Sequence, residues 1–245
     1  MTHSQFTIQD DGIALNAKLD VPKGSRRLVV VIHGFTGHIE ERHIIAVSQG
    51  LNDIGFATLR ADMYGHGHSG GAFRDHTLYK WLTNALTVID YARALDFVDE
   101  LYLCGHSQGG LLVMLAAAME RDHIKGVIPL SPAAMIPEIA RRGELLGAPF
   151  DPEHIPEVLT VGDVTLGGNY IRVAQTIRVE DAIDRYDGPV LIVHGDADES
   201  VPVQVGIDAA RRYKHCDLVL IEGDTHCYDY HLDQVVDAVK AWMQR

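Results

Sequence analysis

Hydrophobic positions along the chain follow two rhythms. Short apolar and β-branched runs, RLVVVIHG, FATLRAD, LYLCGH, KGVIPL, PVLIVHG and DLVLIEG, alternate with longer stretches in which apolar residues recur every three or four positions. The first rhythm predicts buried strands and the second predicts helices. Their alternation predicts an α/β protein with a mostly parallel central sheet and helices on both faces. Helices are expected within 40–52 and over 78–95, 109–120, 203–213 and 232–243. FTIQ and IALNAKL flank Asp10-Asp11-Gly12, which predicts an opening antiparallel hairpin.

One connection breaks this alternation. Residues 131–187 are far longer than a plain crossover needs, and six of the nine prolines fall between Pro129 and Pro156. That density excludes long helices and predicts an ordered lid or cap, inserted after a strand end where α/β sheets hold ligands. The chain therefore reads as a single domain over 1–245 with 131–187 as its insertion.

Composition narrows the function classes. A net charge of −13 speaks against binding nucleic acid or an anionic membrane through a basic patch. The longest apolar run, 111–119, is too short to span a bilayer. The opening MTHSQFTIQDDG has neither the basic nor the apolar part of a signal peptide, so a cytoplasmic location is expected. Cys104, Cys216 and Cys227 have no metal-ligand spacing and read as free thiols.

The chemistry starts at GHSQG, Gly105 to Gly109, between the apolar LYLC and LLVMLAAAME. G-x-S-x-G between a strand and a helix is the nucleophile elbow, a sharp turn that exposes the serine, here Ser107. A serine hydroxyl attacks only when a base removes its proton, so a histidine held by a carboxylate is required. In this fold the order is serine, acid, histidine, each on a loop after a strand. His226 is the histidine that follows a strand downstream of the candidate acids Asp196, Asp198 and Glu199. The oxyanion of acyl transfer needs N–H donors, one being that of the residue after the nucleophile, Gln108, and the other coming from the loop after RLVVVIHG. His66-x-His68 invites a zinc reading but lacks further ligands at plausible spacing, so no metal is expected.

HGDADESVP resembles the HGxxDxxVP loop of α/β-hydrolase esterases, and GDTHCY resembles their terminal histidine loop. By that resemblance Asp198 is the acid, while HGFTG resembles their oxyanion loop and implies the Phe35 N–H as the second donor. The phenyl ring is then expected in the acyl pocket. HGFTG, GHSQGG, LSPAA, DPEHIP, LGGNYIRVAQ and EGDTHCYDY make the chain most similar to bacterial cinnamoyl and feruloyl esterases. The resemblance implies a serine ester hydrolase that releases ferulate, p-coumarate or caffeate from small aromatic esters without a cofactor, with Tyr170 and Glu138 facing the ring substituents from the lid. A homodimer is left open. The alternatives are a broad carboxylesterase or monoacylglycerol lipase with the same triad, and a non-catalytic binding protein. The latter is disfavoured because such proteins commonly lose a triad member, and all three candidates are present.

Overall fold

A computed structural model describes residues 1–245. The opening hairpin joins β1 (Thr2–Asp10) to β2 (Ile13–Val21), with Asp11 and Gly12 at φ of 47° and 79°, the left-handed pair that a two-residue turn demands. Next come β3 (Arg27–Ile32), α1 (Arg42–Asp53), β4 (Ala57–Ala61), α2 (Leu78–Arg93), β5 (Glu100–His106), α3 (Gln108–Met119) and β6 (Ile124–Leu130). After a long connection the chain resumes with β11 (Val190–Gly195), α7 (Val203–Arg212), β12 (Cys216–Ile221) and α8 (Leu232–Met243).

These eight strands form one sheet in the order β1-β2-β4-β3-β5-β6-β11-β12. β2 pairs antiparallel with β1 and β4, and every other pairing is parallel. The strand sequences explain why both faces are covered. In β3, Leu28, Val30 and Ile32 enter the core beneath α2 and α3, whereas Val29 and Val31 enter the core beneath α1 and α8. α3 lies buried from Gln108 to Ala117, as expected of a helix apolar on every side.

The connection from β6 to β11 is assembled from short pieces. It holds α4 (Ile136–Arg141), a hairpin of β7 (Glu144–Leu145) and β8 (Ala148–Pro149), a hairpin of β9 (Val158–Val161) and β10 (Val164–Gly167), then α5 (Gly168–Thr176) and α6 (Val179–Arg185). Pro137 occupies the first turn of α4, where its missing N–H costs no hydrogen bond. No helix is long and apolar enough to cross a membrane.

Candidate active site

Because β3, β5, β6, β11 and β12 run parallel, their carboxyl ends lie along one edge of the sheet, the edge where ligands bind in open α/β folds. Ser107 sits between β5 and α3 at φ 57° and ψ −119°, a left-handed conformation that L-residues rarely adopt. The surrounding glycines make this turn sterically possible. A Cβ on Gly105 would stand 2.3 Å from the Gly109 carbonyl oxygen, and one on Gly109 would stand 2.4 Å from the carbonyl oxygens of Ile32 and His33. Backbone hydrogen bonds clamp the serine from both sides: its N–H donates to Leu130 O at 2.9 Å, and its carbonyl accepts from Ala133 N at 2.9 Å.

The loops after β11 and β12 bring Asp198 and His226 together. Asp198 Oδ2 lies 2.7 Å from His226 Nδ1, while Oδ1 accepts the N–H groups of Ser200 and Val201, each at 2.8 Å. A carboxylate only accepts, so Nδ1 carries the proton and Nε2 is the basic nitrogen of the neutral ring. Burial works against the charge on Asp198, but hydrogen bonds from His194, His226 and Val201 outweigh it and hold the carboxyl well below the usual range. The Ser107 hydroxyl and the imidazole line the same cavity without being hydrogen-bonded to each other. Asp196 and Asp224 take up backbone N–H groups instead: Asp196 accepts from Gly223, and Asp224 from Thr225, Tyr230 and His231.

A support that the motifs do not reveal lies behind His226. His106 Nε2 is 2.8 Å from the His226 carbonyl oxygen, and His106 Nδ1 is 3.0 Å from His43 Nε2. The carbonyl can only accept, so His106 donates from Nε2, accepts at Nδ1 and takes its hydrogen bond from His43. Burial pushes both rings toward the neutral form, His43 down to about 4 and His106 well below its ordinary value. His106 occupies the variable position of G-x-S-x-G and His43 lies in α1. Their shared polarity on buried surfaces was the available signal.

On the side of the expected oxyanion donor Phe35, Gly34 packs against the serine, and a Cβ there would stand 3.0 Å from Ser107 Cβ. The adjoining Phe35 N–H donates to no group of the chain. His33 supports this loop, with Nδ1 2.8 Å from Gly34 O and Nε2 accepting from Met63 N at 3.0 Å.

Above the serine lies a cavity of about 680 Å³, a size typical of small-molecule sites. Phe35, Ser107 and His226 form its floor, while Ala133, Met135, Ile136, Ile139 and Leu146 from the β6–β11 connection supply an apolar wall. Cys227 is also at the cavity, but burial raises its thiol to about 11, so it is protonated and a poor nucleophile.

Two expected contacts lie elsewhere. Glu138 turns away from the cavity: its carboxylate, 47% exposed, accepts from Arg141 and Arg142 one turn along α4. Tyr170 is fully buried and directs its phenol to the Gln108 side chain. The acidic side chain that this connection does bring to the cavity is Glu144.

The family described as "Serine aminopeptidase, S33" matches residues 23–160, a span that contains the elbow and stops before Asp198 and His226. The chain is similar to Est1E from Butyrivibrio proteoclasticus, solved with ferulic acid bound, at 65% identity and a TM-score of 0.96 over 98% of each chain. It is 24% identical to the mitochondrial palmitoyl-protein thioesterase ABHD10 of Homo sapiens across 88% of this chain and 74% of that protein. It is 27% identical to the monoglyceride lipase of Rattus norvegicus across 76% of this chain and 59% of that protein.

Proposed function

From the premise that this chain belongs to the S33 serine aminopeptidase family of α/β hydrolases and is a carboxylic ester hydrolase, we propose that it releases hydroxycinnamic acids from small-molecule esters. The observation that carries the substrate class is the 65% identity to a protein that holds ferulic acid. The apolar wall above Ser107 supports it, because a planar aromatic acyl group gains by leaving water for such a surface. In this reading residues 131–187 are the lid over the acyl group.

The chemistry proceeds through an acyl-enzyme. Ser107 Oγ attacks the ester carbonyl carbon as His226 Nε2 takes its proton, and the carbonyl π pair moves onto oxygen. The N–H groups of Phe35 and Gln108 receive that oxyanion, and Asp198 stabilises the imidazolium. Collapse of the tetrahedral adduct breaks the bond to the alcohol oxygen, which leaves with the proton from His226. Water then attacks the acyl-serine by the same proton path and releases the acid. Every proton and electron pair moves between substrate, water and the chain's own groups.

A second reading, monoacylglycerol hydrolysis, is favoured by the match to the rat lipase and shares the same triad. Comparing kcat/KM on methyl ferulate with that on a monoacylglycerol and a butyrate ester separates the two. Methyl ferulate is expected to be the better substrate by tenfold or more, on the order of the discrimination that pocket shape supplies. Equal or faster turnover of the aliphatic esters overturns the hydroxycinnamate assignment. Ser107→Ala is expected to fold normally and lose at least ~10⁴-fold in kcat. Near-native activity in that variant removes Ser107 from the mechanism.

A further inference from the structure

Tyr170 lies in the first turn of α5, within the β6–β11 connection, and is completely buried. Its phenol donates to Gln108 Oε1 at 2.6 Å, the one hydrogen bond that the Gln108 amide makes, since Nε2 is buried without an acceptor. The same ring meets Phe35 edge-on with centroids 6.3 Å apart, and both rings contact His76, at 5.1 Å from Tyr170 and 5.6 Å from Phe35. Phe35 and Gln108 are the two residues whose N–H groups receive the oxyanion in the mechanism above. They come from different loops, after β3 and after β5, and Tyr170 touches the side chains of both.

We propose that Tyr170 is a positioning residue of the oxyanion hole, holding Gln108 by its hydrogen bond and Phe35 by ring contact, and that its phenol does not bind the substrate. This rests on the acyl-enzyme reading of Ser107. The physical reason is preorganisation: oxyanion donors lower the barrier only when already aimed at the place where charge develops, and small misplacements are costly. Without the phenol, both polar atoms of a buried amide lack partners, which drives the amide, and with it the start of α3, to a new arrangement. Burial also keeps the phenol protonated and able to donate.

Tyr170→Phe keeps the ring and removes the donor. The expected result is a fall in kcat of about tenfold, less than the loss from deleting an oxyanion donor outright. KM and inhibition by free ferulate should stay within twofold. The loss should be equal for methyl ferulate and methyl cinnamate, which lacks ring hydroxyls, and a trifluoromethyl ketone analogue of the oxyanion should lose affinity in step with kcat. Gln108→Met should give the same loss, and the double variant no more than either alone.

A rise in KM confined to methyl ferulate overturns the proposal by showing that the phenol binds the ring hydroxyl. Wild-type kcat overturns it as well, as does a loss that disappears when rates are normalised to active sites titrated with a phosphonate, which is mere destabilisation. Ser107→Ala in the same assays keeps the questions apart. If it remains active the acyl-enzyme reading fails, whereas if it is inactive and Tyr170→Phe is normal, only the present inference fails.

Discussion

The shelf at the carboxyl ends of β3, β5, β11 and β12 and the connection that covers it are built on opposite terms. On the shelf, backbone meets backbone. Gly109 is pressed against Ile32 and His33, Ser107 is held at a left-handed φ, and Asp198 is fixed by two N–H groups of its own loop. The connection consists of helices of six, nine and seven residues and two small hairpins, and apart from Gly147 it lines the cavity with residues that carry side chains, most of them apolar. In the proposed mechanism, reaction geometry therefore falls to the part that tolerates no local change, and substrate fit to the part that does.

The largest test of that contrast exchanges one hydrogen for a methyl group on each side. Gly109→Ala places a Cβ 2.4 Å from two carbonyl oxygens that cannot withdraw, and an expected loss of about 4 kcal/mol or more should leave little folded protein. Gly147, in the connection, has φ of 83° and open space around its missing Cβ. Gly147→Ala should cost only about 1 kcal/mol, the strain of an L-residue in that region. Urea unfolding of the two variants measures both, and similar losses would erase the distinction between rigid shelf and tolerant cover.

The same contrast explains what was legible in the sequence. The strands and helices of the sheet were readable from their periodicity, and α8 begins and ends at the expected residues. GHSQG announces its own turn because the steric demand is local. By contrast, the direction of Glu138 and Tyr170 depends on which neighbours the short pieces find. Arg141 and Arg142 draw Glu138 outward, and Gln108, 62 positions away, draws Tyr170 inward. The six-residue α4 sets no strong hydrophobic period that would predict the direction of Glu138, and the period of α5 says that Tyr170 is buried without saying which partner it meets. His43 and His106 escaped for a related reason: the bond joining them spans 63 positions, and neither belongs to a fixed motif position.

That histidine pair supplies the next test, an acid limb that belongs to the shelf. His43 stays neutral in the folded protein down to about 4, whereas in the unfolded chain it protonates near its ordinary value of 6.5. Between those values the unfolded state binds the extra proton, so stability rises with pH there and falls as pH is lowered from 6.5 toward 4. His43 alone accounts for a loss on the order of 3 kcal/mol across that window, and His106 adds to it in the same direction. Asp198, whose carboxyl is lowered by folding, loses its contribution only below its unfolded pKa, at a more acid pH. Chemical denaturation at pH 7 and pH 4.5 measures the limb, and His43→Gln should flatten it. An unchanged stability over that range would mean that the ring is not kept neutral by burial.

The smallest effects are expected in the cover, where two neighbours on α4 part company. Ile139 lines the cavity, and Ile139→Ala removes apolar surface from the wall proposed to meet the acyl group. KM for methyl ferulate should rise about fivefold while kcat and the unfolding midpoint stay nearly constant, since a half-buried aliphatic contact carries about 1 kcal/mol. Glu138, one position earlier, is held on the outer side by Arg141 and Arg142, and Glu138→Gln should change neither kinetic constant by as much as twofold. A KM increase in Glu138→Gln matching that of Ile139→Ala would show that α4 turns on substrate binding and brings the carboxylate inward. The wall would then be a moving element, and its resting arrangement would no longer define the acyl pocket.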